Sequence, residues 1–395
     1  MIKIGTGGKQ MDKFLLKPAL YYGNNAINYL NGLTGKRALI VTDDFMVKLG
    51  FVEKITKPLD EAGIQYSVFS EVEADPSRET VIKGLNTIIN LKPDILIAIG
   101  GGSPIDAAKA IMFFCIKTKE KLIETEYIKK PWFIAIPTTS GTGSEVTSFS
   151  VITDKKTHEK IPLTEDIMIP DVAILDYELT KTLPPSVTAE TGMDVLTHAI
   201  EAYVSPKASD YTDIYAEKAI EIVFNYLLKA YENGSDLEAR AKMHNASCMA
   251  GISFSNSSLG INHSLAHVVG ANFGLPHGRS NALMLPYVIK FNGRLHQNSF
   301  EGNKAANKYK KIAKIIGLPC DSLNEGVLSM IEMSKYLNKK MNLPITLQQA
   351  GIDKDQFNRL LTEMAQTALQ DICTSGNPVK VTVDDLKAIL MEAYG

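Results

Sequence analysis

The 395-residue chain is poor in cysteine, in histidine and in surplus charge of either sign. Its four cysteines, Cys115, Cys248, Cys320 and Cys373, stand far apart and form no CxxC pair. That argues against both a disulfide framework and a thiolate metal site; each reads as a small buried hydrophobe. The 42 Lys and Arg against 44 Asp and Glu leave a formal charge of −2, so nothing draws the protein to nucleic acid or to an anionic membrane. No apolar run approaches the roughly 18 residues needed to span a bilayer, and the opening MIKIGTGGKQMDK lacks the apolar core of a secretory signal. A soluble cytoplasmic protein is expected, with a small molecule as its partner.

What is present is ordinary in bulk and uneven in order. Hydrophobic residues make up 45% and charged residues 22%, as in globular proteins generally, and the length calls for two domains. The first half alternates. RALIVTD (37–43), QYSVFS (65–70), DILIAIG (94–100), FIAIPT (133–138), SVITD (150–154) and VAILD (172–176) read as strands. Between the first three lie FMVKLGFVEKITKPLDEAG and SRETVIKGLNTIINLK, both of helical period. Such alternation predicts an α/β domain with a mostly parallel sheet over residues 1–185. Beyond Pro184–Pro185 the strand signal fades, and YTDIYAEKAIEIVFNYLLKAYENG, LEARAKMHNASCMAGISF and NKAANKYKKIAKIIG are helical. An all-α domain over 186–395 is expected, with a cleft between the two where ligand sites form.

Three of the seven histidines crowd into GINHSLAHVVGANFGLPHG, residues 260–278: His263, His267 and His277. Upstream, in TGMDVLTHAIEAYV, Asp194 and His198 stand four apart, as do His263 and His267, so each pair projects from one helical face. Carboxylate plus imidazole without thiolate is a donor set for Fe(II), Zn(II) or a similar divalent ion. Five candidates exceed the usual count for one ion, so one histidine stands behind the ligands or serves the chemistry. His158, His244 and His296 read as isolated core or surface residues.

A second site is written in the first half. IAIGGGSPIDAAKA runs a strand into Gly100, Gly101, Gly102 and Ser103 and then a helix; glycine permits close approach of a ligand, and the helix N-terminus offers free N–H groups to a pyrophosphate. The spacing is not the GxGxxG of the usual dinucleotide fingerprint. IPTTSGTGSEVTS opens a second strand end into hydroxyls and flexible backbone, suited to sugar and phosphate at the carboxyl edge of the sheet. Asp43, closing IVTDD, can accept from a ribose hydroxyl and would repel a 2′-phosphate, which favours NAD over NADP.

GGGSPIDAAKA, IPTTSGTGSEVT, GMDVLTHAIE, GINHSLAHVVGANFGLPHGRSNA and DICTSGNP together resemble the iron-containing (group III) alcohol dehydrogenases, of the type acting on short-chain alcohols. The resemblance runs from about residue 37 to 378. It implies an N-terminal dinucleotide-binding α/β domain and a C-terminal helical metal domain. Asp194, His198, His263 and His277 would ligate the ion, Fe(II) or else Zn(II). His267 would lie near metal and nicotinamide as a catalytic proton relay. NAD(H) would be bound by Asp43, Gly100, Gly101, Gly102, Ser103, Asp106, Thr139, Thr142, Thr147 and Lys160. Phe149, Val151 and Phe254 would line the substrate pocket, whose apolar walls suit short unbranched aldehydes. A homodimer is expected from the family. The rival readings are a glycerol-dehydrogenase-like polyol oxidoreductase, a non-redox NAD and metal enzyme of dehydroquinate-synthase type, and an assembly component. The second should gather Arg and Lys in the cleft, where the metal segments offer only Arg279.

Overall fold

The structure, a computed structural model, describes residues 13–122, 130–155, 160–295 and 303–395. In the first half β1 (Ala19–Tyr22) and β2 (Arg37–Val41) precede two short helices, α1 (Asp44–Lys48) and α2 (Glu53–Glu61). Then come β3 (Gln65–Phe69), α3 (Arg78–Leu91), β4 (Ile95–Gly100), α4 (Gly102–Leu122) and β5 (Trp132–Pro137). A hairpin of β6 (Phe149–Thr153) and β7 (Lys160–Thr164) follows, and β8 (Val172–Leu175) closes the unit.

Six strands form one parallel sheet in the order β1-β8-β5-β4-β2-β3. Apart from Arg37 at the start of β2, its inner strands are apolar throughout because both faces are covered. Leu39, Val41, Leu96, Ala98 and Phe133 face the core shared with α3 and α4, while Ile40, Ile97, Ile99 and Ile134 face the opposite one. The expected parallel α/β architecture is present.

Three details differ from the sequence reading. The stretch read as one helix after β2 breaks at Gly50, whose φ of 71° suits glycine. SVITD does not join the sheet but pairs antiparallel with β7 in a separate ribbon. The outer strand β1 has only four residues, all exposed, and gave no alternating signal.

The second half is helical: α5 (Pro185–Val204), α6 (Asp210–Glu232), α7 (Leu237–Asn256), α8 (Ile261–Phe273), α9 (His277–Asn292), α10 (Lys304–Ile315), α11 (Leu323–Lys340), α12 (Lys354–Gln370) and α13 (Val383–Tyr394). Side-chain caps start several of them, as at α6, where Ser209 and Thr212 form a reciprocal capping box. Helix α5 starts on Pro185, whose missing N–H costs nothing at that position. From Gly192 to Val204 it is buried on every side, the pattern of a central helix. Among the described residues no helix is long and apolar enough to cross a membrane.

The loop between β5 and β6, residues 138–147, joins the two halves. A Cβ on Gly141 would fall 2.8 Å from Thr191 Cβ on α5, and one on Gly143 would fall 2.7 Å from Gly251 Cα on α7. From below, the loop is held by Lys109 of α4, which is wholly buried. Its Nζ lies 2.6 Å from the Ser144 carbonyl, 2.9 Å from Ser144 Oγ, 3.0 Å from Thr147 Oγ1 and 2.8 Å from the Phe149 carbonyl. Burial pulls this amine down to about 8 against the pull of Asp106. Asp106 in turn accepts from Ser144 Oγ (2.6 Å) and the Val151 N–H (3.0 Å). Lys109→Met would leave these acceptors without a donor and Asp106 without its countercharge. We expect a loss of about 3 kcal/mol or more, read as a lower denaturant midpoint for the first half; an unchanged midpoint would contradict the role given to Lys109.

Candidate metal centre and cofactor cleft

One helical turn on α5 carries Asp194 and His198, and α8 and the start of α9 bring His263 and His277 against them. One donor atom from each of the four lies within 4.8 Å of the others. Asp194 Oδ1 is 3.8 Å from His263 Nε2 and 3.6 Å from His277 Nε2, and its Oδ2 is 3.9 Å from His198 Nδ1. Three members are buried, whereas the His277 side chain is 43% exposed and marks the mouth. Gly278 lets α9 start this close to α5, since a Cβ there would fall 2.3 Å from the Glu190 carbonyl oxygen.

The electrostatics suit a cation. Burial opposes ionisation of Asp194, yet the surrounding imidazoles and Asn281 hold its carboxyl below the usual range. Burial and the neighbouring rings push His263 well below its ordinary value, so it is neutral, the form that donates a lone pair. His198 Nδ1 is buried without a hydrogen-bond partner, an orphaned polar atom beside one carboxylate and two further imidazoles. These residues fit a divalent ion.

Glu201 stands behind His263, accepting from its Nδ1 at 2.5 Å and from the Asn262 N–H at 2.7 Å. Burial raises this carboxyl to about 7 against those bonds. A carboxylate behind a ligating imidazole fixes ring and tautomer. Sequence reading passed over Glu201, although it follows Asp194 by seven residues and so shares its helical face.

His267 does not join the four. Its Nδ1 meets Asp371 Oδ2 at 2.8 Å, and its ring stacks on His277 with centroids 5.4 Å apart. Asp371 also accepts from the Cys373 N–H (2.8 Å) and Ser264 Oγ (3.3 Å). Burial alone would raise the Asp371 carboxyl, but the His267 and Cys373 bonds outweigh it and bring it to about 2. Asp371 opens the DICTSGNP segment, whose sequence alone does not point to His267. Phe254 of α7 stacks on His198 at 4.6 Å between ring centroids. Phe149 and Val151 occupy the more open face of β6, opposite the buried Ser150 and Ile152.

Most of the residues expected to bind NAD(H) lie near the carboxyl edge of β2, β4 and β5. Chain connections leave β2 and β4 in opposite directions, so the crevice between their ends is the switch point where ligands enter such sheets. Asp43 caps α1 on one side, accepting from the Met46 N–H at 2.9 Å. Gly100 to Ser103 turn into α4 on the other. Gly100 has a φ of 146°, and a Cβ on Gly102 would fall 2.8 Å from Thr142 Cγ2. Gly101, Gly102, Ser103, Thr139 and Thr142 keep partial exposure around this crevice. Lys160 pairs with Asp75 at 2.7 Å, and the Asp75 N–H donates to Ser103 Oγ, which ties the hairpin to the glycine turn. Thr147, 1% exposed with its hydroxyl taken by Lys109, ends the loop on its buried side, where the bonds of Asp106 also point.

His244, read from sequence as an isolated histidine, is buried on α7 with its Nδ1 3.0 Å from Ser140 Oγ of the loop. Burial brings it down to about 4. His158 and His296 lie outside the described residues.

Comparison with known proteins bears on the whole chain. The profile described as "Iron-containing alcohol dehydrogenase" matches residues 18–177, and "Fe-containing alcohol dehydrogenase family, C-terminal" matches 188–394. The NADPH-dependent butanol dehydrogenase of Clostridium saccharobutylicum is 46% identical over 97% of this chain and 98% of that protein. The 1-propanol dehydrogenase PduQ of Citrobacter freundii is 42% identical over 97% of this chain and 100% of that protein. The crystal structure of a 1,3-propanediol oxidoreductase superposes with a TM-score of 0.87 at 34% identity, covering 98% of this chain and 100% of that one.

A buried neutral His244 has a pH consequence. Its folded value lies below the ordinary 6.5, so its contribution is complete above pH 6.5 and is lost as the pH falls toward about 4, reaching about 3 kcal/mol. His244→Gln, which can still bond Ser140, is expected to lose less stability than the wild type between pH 6.5 and 4 in thermal melts. Parallel pH curves for the two proteins would contradict this.

Proposed function

We propose a function from one premise: the chain belongs to the iron-containing alcohol dehydrogenase family. On our reading it is a metal-dependent, NAD(H)-linked alcohol dehydrogenase that interconverts short-chain primary alcohols and aldehydes, working chiefly as an aldehyde reductase. The observation that carries the reading is the convergence of Asp194, His198, His263 and His277 on one point. These four would hold Fe(II), or Zn(II) in its place. Bound there, the ion supplies Lewis acidity to a substrate oxygen while the nicotinamide supplies or accepts the hydride.

The chain's own groups do the rest. Gly100, Gly101, Gly102 and Ser103, at the N-terminus of α4, receive the diphosphate, with Thr139 and Thr142 opposite and Lys160 held beside them through Asp75. Asp106 and Thr147 brace the loop from below. His267, fixed at Nδ1 by Asp371 and 32% exposed, leaves Nε2 free to pass a proton between solvent and substrate oxygen. Phe254, against His198, walls the pocket with Phe149 and Val151, which favours short apolar chains. The names of the butanol and 1-propanol dehydrogenase relatives support the same choice. Arg279 spends its Nε and Nη2 on Glu190 Oε1, at 2.9 and 2.6 Å, so it offers no free charge to a carboxylate substrate. That weighs against the dehydroquinate-synthase type. We further place the protein in the cytoplasm as a homodimer. The absence of a disulfide among the four cysteines suits a reducing compartment, and the exposed edge strand β1, with Leu20, Tyr21 and Tyr22, is a surface a second copy would cover.

The test is NADH oxidation with propanal on anaerobically purified protein, repeated after chelation and after return of Fe(II) or Zn(II). Activity should vanish with the chelator and return with one ion; no activity with any ion, despite measured uptake, would overturn the redox reading. In the reverse direction 1-propanol should exceed glycerol in kcat/KM by about 100-fold, because apolar walls leave extra hydroxyls unpaired; comparable values would remove the apolar pocket.

Asp43 favours NAD, whereas the butanol dehydrogenase relative is named for NADPH, so cofactor choice is testable at this residue. Glycine is nearly as good an N-cap, and Asp43→Gly should shift the NAD/NADP ratio of kcat/KM toward NADP by about tenfold. An unchanged ratio would leave Asp43 as a helix cap only.

A further inference from the structure

We propose that Asn281 is a positioning residue of the metal centre: its carboxamide, anchored by Asn262, aims three of the four donor groups and selects the metal-binding tautomer of the two histidines among them. The inference rests on the reading of Asp194, His198, His263 and His277 as ligands.

Asn281 lies on α9 one turn after His277 and is fully buried. Its Nδ2 donates to Asp194 Oδ1 at 2.7 Å and stands 3.2 Å from His263 Nε2 and 3.1 Å from His277 Nε2. One NH2 group therefore faces donor atoms from three helices. An amide N–H can only donate, so each Nε2 it meets must be bare and its ring proton must sit on Nδ1. For His263 that Nδ1 proton is taken by Glu201 Oε2. The tautomer selected on one side by Glu201 and on the other by Asn281 is the one that turns a lone pair toward the centre. The amide can keep its shortest bond, to Asp194 Oδ1, whose oxygen has a further lone pair, while each bare Nε2 would turn its single lone pair to a bound ion.

Asn281 itself has little freedom. Asn262 Nδ2 donates to its side-chain Oδ1 at 2.9 Å and to its backbone carbonyl at 3.2 Å. With Oδ1 so engaged, Nδ2 must point at the ligands. The Asn262 backbone N–H is bound by Glu201 Oε1 at 2.7 Å. A closed circuit of Glu201, Asn262, Asn281, Asp194 and His263 thus ties α5, α8 and α9 around the centre. Its members come from segments up to 87 residues apart in the chain.

The test measures Zn(II) affinity of the metal-stripped full-length protein by competition with a chromophoric chelator, beside NADH affinity by fluorescence. Asn281→Ala removes the amide; Asn281→Leu keeps most of its volume without the donor; Asn262→Asp keeps the shape of the anchor but cannot donate to Oδ1. All three should bind Zn(II) roughly 10–100-fold more weakly than the wild type, with NADH affinity unchanged. Asn281→Leu binding Zn(II) as tightly as the wild type would reduce Asn281 to packing and overturn the proposal. If both Asn281 variants lose NADH binding through misfolding, Asn262→Asp decides alone: weaker Zn(II) binding supports the proposal and wild-type binding overturns it. A wild-type protein that takes up no ion would overturn the metal reading together with this inference, whereas tight wild-type binding unchanged in the variants would overturn the inference alone.

Discussion

A buried carboxylate among imidazole lone pairs is the constraint on which the rest of this structure depends. Asp194 and His263 are each almost without contact with water, and an uncompensated charge there would cost several kcal/mol. The helical half is arranged around that cost. Helix α5 is buried on every side so that Asp194 and His198 can stand at its centre, and Gly278 allows α9 to start against it. Glu201, Asn262 and Asn281 then supply the hydrogen bonds that keep the acceptors aimed. A positive ion among the four would complete the arrangement.

The same constraint reaches the first half through the 138–147 loop. Gly141 and Gly143 let its backbone lie against α5 and α7, Ser140 bonds His244, and Lys109 pins it to α4. The open hydroxyls of Thr139 and Thr142 therefore have a fixed position relative to both the glycine turn and the helix that carries Asp194. A diphosphate at the switch point and an ion on α5 would be held by one connected framework, which hydride transfer over a short distance requires.

What could be read beforehand followed from periodicity and spacing. Continuous apolar runs such as Ile95–Gly100 gave away the buried parallel strands, and the two i,i+4 pairs with the turn histidine gave away a donor set. Partners distant in the chain left no such trace. Asp371 reaches His267 from 104 residues away, and Asn281 meets Asp194 from 87; only folding shows why those residue types stand there. The four-residue β1 is too short for a period, and the separate pairing of β6 with β7 depends on neighbours that the strand pattern does not name. Nothing in the sequence marks Lys109, since a buried amine is visible only with its acceptors in place. His267 is the middle case: spacing placed it among five candidates, the family resemblance set it apart from the ligands, and the structure adds Asp371 as the group that holds it there.

The most direct measurement is an anomalous difference map at the iron edge from crystals grown with Fe(II). One peak at the point shared by Asp194, His198, His263 and His277, with His267 left bound to Asp371, is the expected result. No peak there, or a peak held by His267, Asp371 and Cys373, would contradict the account.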